Sequence, residues 1–109
     1  MKLLTKALRN KLPPLYANEA LGLADLAVVV VKFFTPWTNW TWYATEFDGE
    51  DRFFGLVCGH EREMGYFSLS ELESIKGPFG LKIERDLHWT PKPIRECKDT
   101  SASAVVASF

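Results

Sequence analysis

Four carboxylates crowd one short stretch of the chain. Asp48, Glu50 and Asp51 fall within Asp48-Gly49-Glu50-Asp51, with Glu46 just before them. Clustered carboxylates could hold magnesium for phosphoryl chemistry. The same composition is what a tight hairpin turn wants, with Gly49 supplying a positive φ. A second stretch, His60-Glu61-Arg62-Glu63-Met64, falls one residue short of a zinc-protease HExxH. That chemistry needs two histidines one helical turn apart to chelate zinc, with the glutamate as base. Met64 stands where the second histidine should be, and the segment lies between strand patterns, so a solvated turn is expected. The two acidic groups should sit at opposite ends of a meander, which keeps them from forming one metal site.

No nucleophile triad assembles from the remaining residues. His60 and His88 are the only histidines. Ser68 and Ser70 suit helix capping, Ser68 with Glu71 or Ser70 with Glu73. Gly77-Pro78-Phe79-Gly80 is a turn and not a phosphate-binding loop. Arg52-Phe53-Phe54-Gly55-Leu56-Val57 partly matches an RNA-recognition strand, but Leu56 and Gly59 stand where base-stacking aromatics belong. Cys58 and Cys97 are too few for a zinc quartet and lie in no CxxC, so reduced structural thiols are expected. No cofactor and no metal are expected.

The aromatic residues carry more information. Eleven of the fifteen lie between Phe33 and Phe67. Over 39–47 the pattern is large on both faces, Trp40, Trp42, Ala44 and Glu46 on one and Thr41, Tyr43, Thr45 and Phe47 on the other. A sheet with one helical layer needs only one such face. The other must be covered by the segment 79–96, which offers Phe79, Leu81, Ile83, Leu87 and Trp89, or by a partner. Large exposed aromatic patches mark interaction sites. The candidate binding residues are Trp37, Trp40, Trp42 and Trp89, with Arg85 beside them and Asp48, Glu50 and Asp51 as an acidic rim. Trp37, in the loop Pro36-Trp37-Thr38-Asn39, is the expected exposed anchor.

The elements that must position these residues follow from periodicity. The chain has 109 residues, 47% hydrophobic and 25% charged, with a net charge of −1. That points to one domain at 1–96 followed by a flexible tail at 97–109. Near-neutral charge argues against gripping nucleic acid by bulk charge. Leu4, Leu8 and Leu12 give an apolar stripe for a helix over 3–12, started by Thr5 and ended by Pro13-Pro14. The run 27–34 predicts a buried central strand. Further strands are predicted over 39–47, 52–59 and 64–67, and a second helix from Ser68 to the stop at Gly77-Pro78. The result is an α+β fold, a four-stranded antiparallel meander packed against two helices, with an extended C-terminal segment. No signal peptide and no apolar run long enough to cross a bilayer is present, so a cytoplasmic, membrane-free location is expected.

Several stretches together resemble a known family. They are Phe33-Phe34-Thr35-Pro36, the run Asn39-Trp40-Thr41-Trp42-Tyr43-Ala44-Thr45-Glu46-Phe47-Asp48-Gly49-Glu50-Asp51, Phe53-Phe54-Gly55-Leu56-Val57, Gly65-Tyr66-Phe67-Ser68-Leu69-Ser70-Glu71-Leu72 and Ile83-Glu84-Arg85-Asp86-Leu87. The chain is similar over about 3–96 to a bacterial domain of unknown function common on plasmids, integrative elements and prophages. The resemblance implies a mobile-element accessory context beside conjugation, antirestriction and anti-CRISPR genes, and it supplies no catalytic residues. The function expected is therefore a non-catalytic binding protein that inhibits a host defence complex by protein–protein contact. The expected partner is a defence effector complex or a second copy of the chain. The alternatives are a single-stranded nucleic-acid accessory protein acting through aromatic stacking and a metal-dependent nuclease using Asp48, Glu50 and Asp51.

Overall fold

The β-branched run after Ala27 stiffens the backbone into extended conformation, and its apolar side chains demand cover on both sides. In the computed structural model, which describes residues 2–97, this run feeds two sheets rather than one strand. Strand β1 (Val28–Val29) pairs antiparallel with β7 (Lys92–Pro93). Strand β2 (Val31–Phe34) pairs with β3 (Thr41–Phe47) and with β6 (Glu84–Arg85). The break falls at Val30, whose N–H still reaches Ala44 O at 2.9 Å. Strands β4 (Arg52–Cys58) and β5 (Arg62–Ser68) complete an antiparallel sheet of order β5-β4-β3-β2-β6.

The fold is thus α+β, but the meander gains a fifth strand from the segment expected to be merely extended. Among the described residues the α-helices are three and short: α1 (Lys6–Lys11), α2 (Ala17–Ala20) and α3 (Leu69–Ser74). Thr5 Oγ1 caps α1 by accepting from Leu8 N at 3.2 Å. Only the middle residue of the expected leucine stripe is helical, since Leu4 and Leu12 flank α1 and are buried there. Of the two cap alternatives, Ser68 is the one used: its Oγ accepts from Glu71 N at 3.0 Å and donates to Glu71 Oε1.

The sheet separates two apolar clusters. Its first face packs Val31, Phe33, Trp42, Phe47, Phe53 and Phe67 against Leu3, Leu4, Leu12, Leu72 and Ile83. Phe53 is the hub, with ring centroids 4.6 Å from Phe47 and 5.2 Å from Phe67. The second face packs Tyr43, Leu56 and Cys58 against Ala27, Val29, Ile94 and Cys97, with Trp89 at the margin. All seven residues of β3 are buried.

A register shift between Ala44 and Glu46 inserts Thr45 as an extra residue opposite β4. A bulge of this kind inverts side-chain alternation beyond it. Phe47 therefore joins the cluster of Trp42 instead of the face of Tyr43, and Glu46 turns to the second face. Simple alternation predicts the reverse for both residues.

The segment 79–96 divides its labour. Trp89 and Ile94 cover the second face, whereas Ile83 enters the first-face core. Phe79, Leu81 and Leu87 are exposed. Cys97, assigned by sequence to the tail, is buried in the second cluster, and the rest of that tail lies outside the described residues.

Candidate functional site

Cover on the second face stops halfway across the sheet. Trp89, Ile94 and Cys97 reach Tyr43, Leu56 and Cys58, whereas Phe54 is only half-buried and Met64 and Tyr66 are exposed. The result is a mainly apolar cleft of about 810 Å³. Thr45, Phe54 and Leu56 form its floor, Met64 and Tyr66 of β5 one margin, and Tyr16 and Asn18 the facing wall. Among the described residues strand β5 is the outermost strand, with β4 as its one neighbour in the sheet. Its free edge borders the cleft.

One buried carboxylate builds the facing wall. Glu46, 3% exposed, accepts N–H bonds from Tyr16 and Asn18, each at 2.9 Å. These bonds hold the backbone where Tyr16 takes a left-handed φ of 72° ahead of α2, a conformation costly for a residue with a Cβ. Tyr16 is thereby displayed at the rim, where its hydroxyl accepts from Tyr66 Oη at 3.3 Å. Tyr66 in turn packs edge-on against Phe54 and lies under the Arg52 guanidinium. Its phenol is held above the ordinary value of 10.0 by the Tyr16 hydrogen bond first and by burial second. Asn18 Nδ2, in the same wall, is buried with no hydrogen-bond partner among the described residues. A buried amide donor in that state is stabilised by any acceptor brought to it.

The sequence-nominated residues lie elsewhere and do not converge. Asp48 Oδ1 accepts from the backbone N–H groups of Glu50, Asp51 and Arg52 at 2.8, 2.8 and 3.0 Å. Those bonds, in that order, hold its carboxyl below the ordinary 3.8. Asp51 accepts from Ser70 N and Ser70 Oγ, both at 2.8 Å, and so ties the hairpin to α3. Glu50 is exposed at the tip. Glu46, grouped with them by sequence proximity, is removed by the bulge. Among the described residues no group of three or more His, Cys, Asp or Glu could hold a metal ion. Arg62 and Glu63, expected in a turn, belong to β5.

The tryptophans are engaged within the fold. Trp37, the expected exposed anchor, is half-buried on the first-face core, its ring 2.5 Å from where a Cβ on Gly77 would lie. Trp40 lies over Gly59 and meets His60 edge-on at 5.6 Å. Trp42 is buried. Trp89 donates from Nε1 to Val29 O at 3.0 Å and stands between Lys32 and Lys92, whose Nζ atoms are 5.7 and 4.7 Å from its ring. Arg85 Nη1 donates to the carbonyls of Lys2 and Leu3, fastening the N-terminal segment to β6. The cleft residues Tyr16, Asn18, Phe54, Met64 and Tyr66 were not singled out by sequence. Their one signal was the two-sided apolar pattern of 39–47, which required cover without saying where cover would end.

Comparison with known proteins agrees with this picture of a fold without an assigned chemistry. The chain belongs to the family described as "Protein of unknown function (DUF2958)", whose model matches residues 3–103. No curated protein and no solved structure matches it. No helix among the described residues is long and apolar enough to cross a membrane.

Proposed function

We propose that this protein is a non-catalytic binding protein of a mobile genetic element, and that it inhibits a host defence complex, such as a CRISPR effector, by protein–protein contact through the second-face cleft. The observation that carries the binding role is the apolar cleft over Phe54, Leu56 and Tyr66, left open beside the free edge of β5. The defence target draws its support from the mobile-element company of the family and not from any residue.

The chemistry of the cleft favours an extended segment of a partner protein. Such a segment would add to β5 by main-chain hydrogen bonds and send alternate side chains into the cleft. Asn18 Nδ2 awaits an acceptor, which a peptide carbonyl supplies. Glu19 and Asp25 line the cleft beside the apolar floor together with Arg62, whose guanidinium donates to Cys97 O at 2.7 Å, and Arg95. The apolar floor between these charges of both signs favours apolar side chains on the partner segment. Base stacking gains no support from the tryptophans, because all four are packed within the fold.

Expression of the full chain in a defence-positive bacterial host tests the proposal. The expected result is a loss of interference, with the effector complex co-purifying. Met64→Asp and Tyr66→Arg, both at exposed positions on β5, should restore interference without lowering the thermal midpoint by more than a few degrees. Intact interference with the unaltered chain would refute the defence target. Retained co-purification by both variants would refute the cleft.

A further inference from the structure

The chain also carries a feature that internal packing does not explain. Residues 76–82 form a small hairpin. Lys76 and Lys82 pair across it as an antiparallel bridge, and Gly77 N–H donates to Leu81 O at 2.8 Å. The turn Pro78-Phe79-Gly80-Leu81 is closed by Leu81 N–H to Pro78 O at 3.0 Å. Phe79 has φ 57° and ψ 28°, and Gly80 has φ 75°. These are the angles of a mirror-image type I′ turn, in which Asn, Asp or Gly is strongly preferred at the position Phe79 holds.

Three local choices run against stability here. A phenylalanine occupies a left-handed backbone position, which is strained for a residue with a Cβ. Its ring is fully exposed, at 101% of the reference surface, so it recovers nothing by burial. Two lysines face each other across the hairpin, and like charges directly opposite repel. Neither lysine forms an ion pair among the described residues. The base of the hairpin is nonetheless fixed. The Trp37 ring sits against Gly77 so closely that a Cβ there would lie 2.5 Å from it. A rigid base beneath a strained, exposed tip is the arrangement of a presented anchor. Strain of this kind persists where function holds it.

We propose that this hairpin is a protein-docking finger: Phe79 inserts into an apolar socket on a partner protein whose rim is acidic and meets Lys76 and Lys82. The partner chemistry follows from the two unpaired cations flanking a single aromatic, since aromatic anchors dominate interface energetics and complementary charge orients them. This site is separate from the cleft. The finger is braced by the loop that precedes β3, whereas Glu46 and the cleft wall lie near the far end of that strand. The proposal holds whether or not the cleft is occupied.

The test replaces Phe79 in the full chain with the photo-crosslinker p-benzoylphenylalanine, and Leu87, also exposed at 62%, in a control. Irradiation in a bacterial host should yield a discrete protein adduct from position 79 that is absent from position 87. The adducted protein is then purified and titrated against the unaltered chain, Phe79→Asn and the double variant Lys76→Glu, Lys82→Glu. Phe79→Asn should raise the thermal midpoint, because asparagine tolerates the turn, and should weaken binding at least tenfold. The charge-reversed variant should weaken binding comparably and abolish its salt dependence. Absence of a position-specific adduct, or unchanged binding by Phe79→Asn, would overturn the proposal. So would co-sedimentation of the unaltered chain with vesicles of phosphatidylglycerol that Phe79→Asn abolishes, which would make the finger a membrane contact.

Discussion

Replacing Glu46 tests whether the cleft wall is held as the geometry indicates. Its two carboxylate oxygens accept the N–H groups of Tyr16 and Asn18, 30 and 28 residues away in the chain. Hydrogen bonds to charged groups contribute about 1.5–3 kcal/mol each. In Glu46→Gln one oxygen still accepts, but the amide NH₂ meets the other donor, so one charged bond is lost and one buried N–H is left bare. Relief of carboxylate desolvation returns part of that. The expected net loss is about 2–3 kcal/mol for Glu46→Gln and about 2–4 kcal/mol for Glu46→Ala, where both donors are stranded. At this chain length that corresponds to a fall in thermal midpoint of roughly 10 °C. Urea denaturation gives the energy, and hydrogen exchange at the Tyr16 and Asn18 amides gives the location. Both amides should lose protection before the amides of β3 and β4 do. A loss below about 0.5 kcal/mol, the scale of an ordinary surface substitution, or unchanged protection at those two amides, would refute the role assigned to Glu46.

Gly55 and Gly65 face each other across β4 and β5, yet their alanine variants should diverge. A Cβ on Gly55 would lie 1.9 Å from the backbone oxygen of Tyr43, whereas one on Gly65 meets nothing within 4 Å. Calorimetry should find Gly55→Ala destabilised by about 3 kcal/mol or more and Gly65→Ala close to neutral. Asp48 titrates below its usual 3.8 because it accepts three backbone N–H groups. Its contribution is therefore complete above that value and is lost as pH falls through the lower folded-state value, so Asp48→Ala should flatten the acid limb of a stability–pH profile. Burial raises the Cys97 thiol from 9.0 to about 11. The stability linked to it is complete below pH 9.0 and declines as pH rises toward 11, and Cys97→Ser should reduce that alkaline decline. In native protein at neutral pH, iodoacetamide should leave Cys97 unmodified by mass spectrometry, while denaturant exposes it to reaction. Deleting Thr45 should leave a folded protein, because Glu46 already pairs with Phe54 and Phe47 with Phe53. Deleting Tyr43 should not, and cooperative unfolding followed by circular dichroism separates the two cases.

Local chemistry was legible in the sequence wherever the deciding interaction is local. The Thr5 and Ser68 caps, the turn at Gly49 and the antiparallel order of β3, β4 and β5 each follow from residues within a few positions of one another. Long-range partners were not legible. The pairing of β6 with β2 joins residues some fifty positions apart, through a strand only two residues long. The division of the valine run between two sheets depends on where Lys92–Pro93 returns. The acidic hairpin was visible, but its carboxylates turn out to be acceptors for backbone and for Ser70. A composition that suits a cation also suits a turn, and only geometry distinguishes the two. The cleft was hidden for a different reason. Its wall comes from the connection around Tyr16, which has no periodicity, and its position is set by Glu46.

The bulge at Thr45 links the local pattern to the candidate site. Without an inversion of alternation, Glu46 would project toward Trp42 and Phe53, where a carboxylate would meet only apolar side chains and its burial would be prohibitive. Phe47 would leave the ring contact with Phe53 and turn toward the second face. One extra residue resolves both conflicts. It puts the aromatic ring into the core and the carboxylate under the N–H groups of Tyr16 and Asn18. In doing so it anchors the chain at the margin of the second face instead of across it, so Phe54 stays half-buried and Met64 and Tyr66 stay exposed. The two-sided aromatic pattern of β3 therefore does not demand a partner along its whole length. The chain's own Val29, Trp89 and Ile94 cover the Tyr43 half. The open half is defined by the bulge, and a binding role for the second face is confined to it.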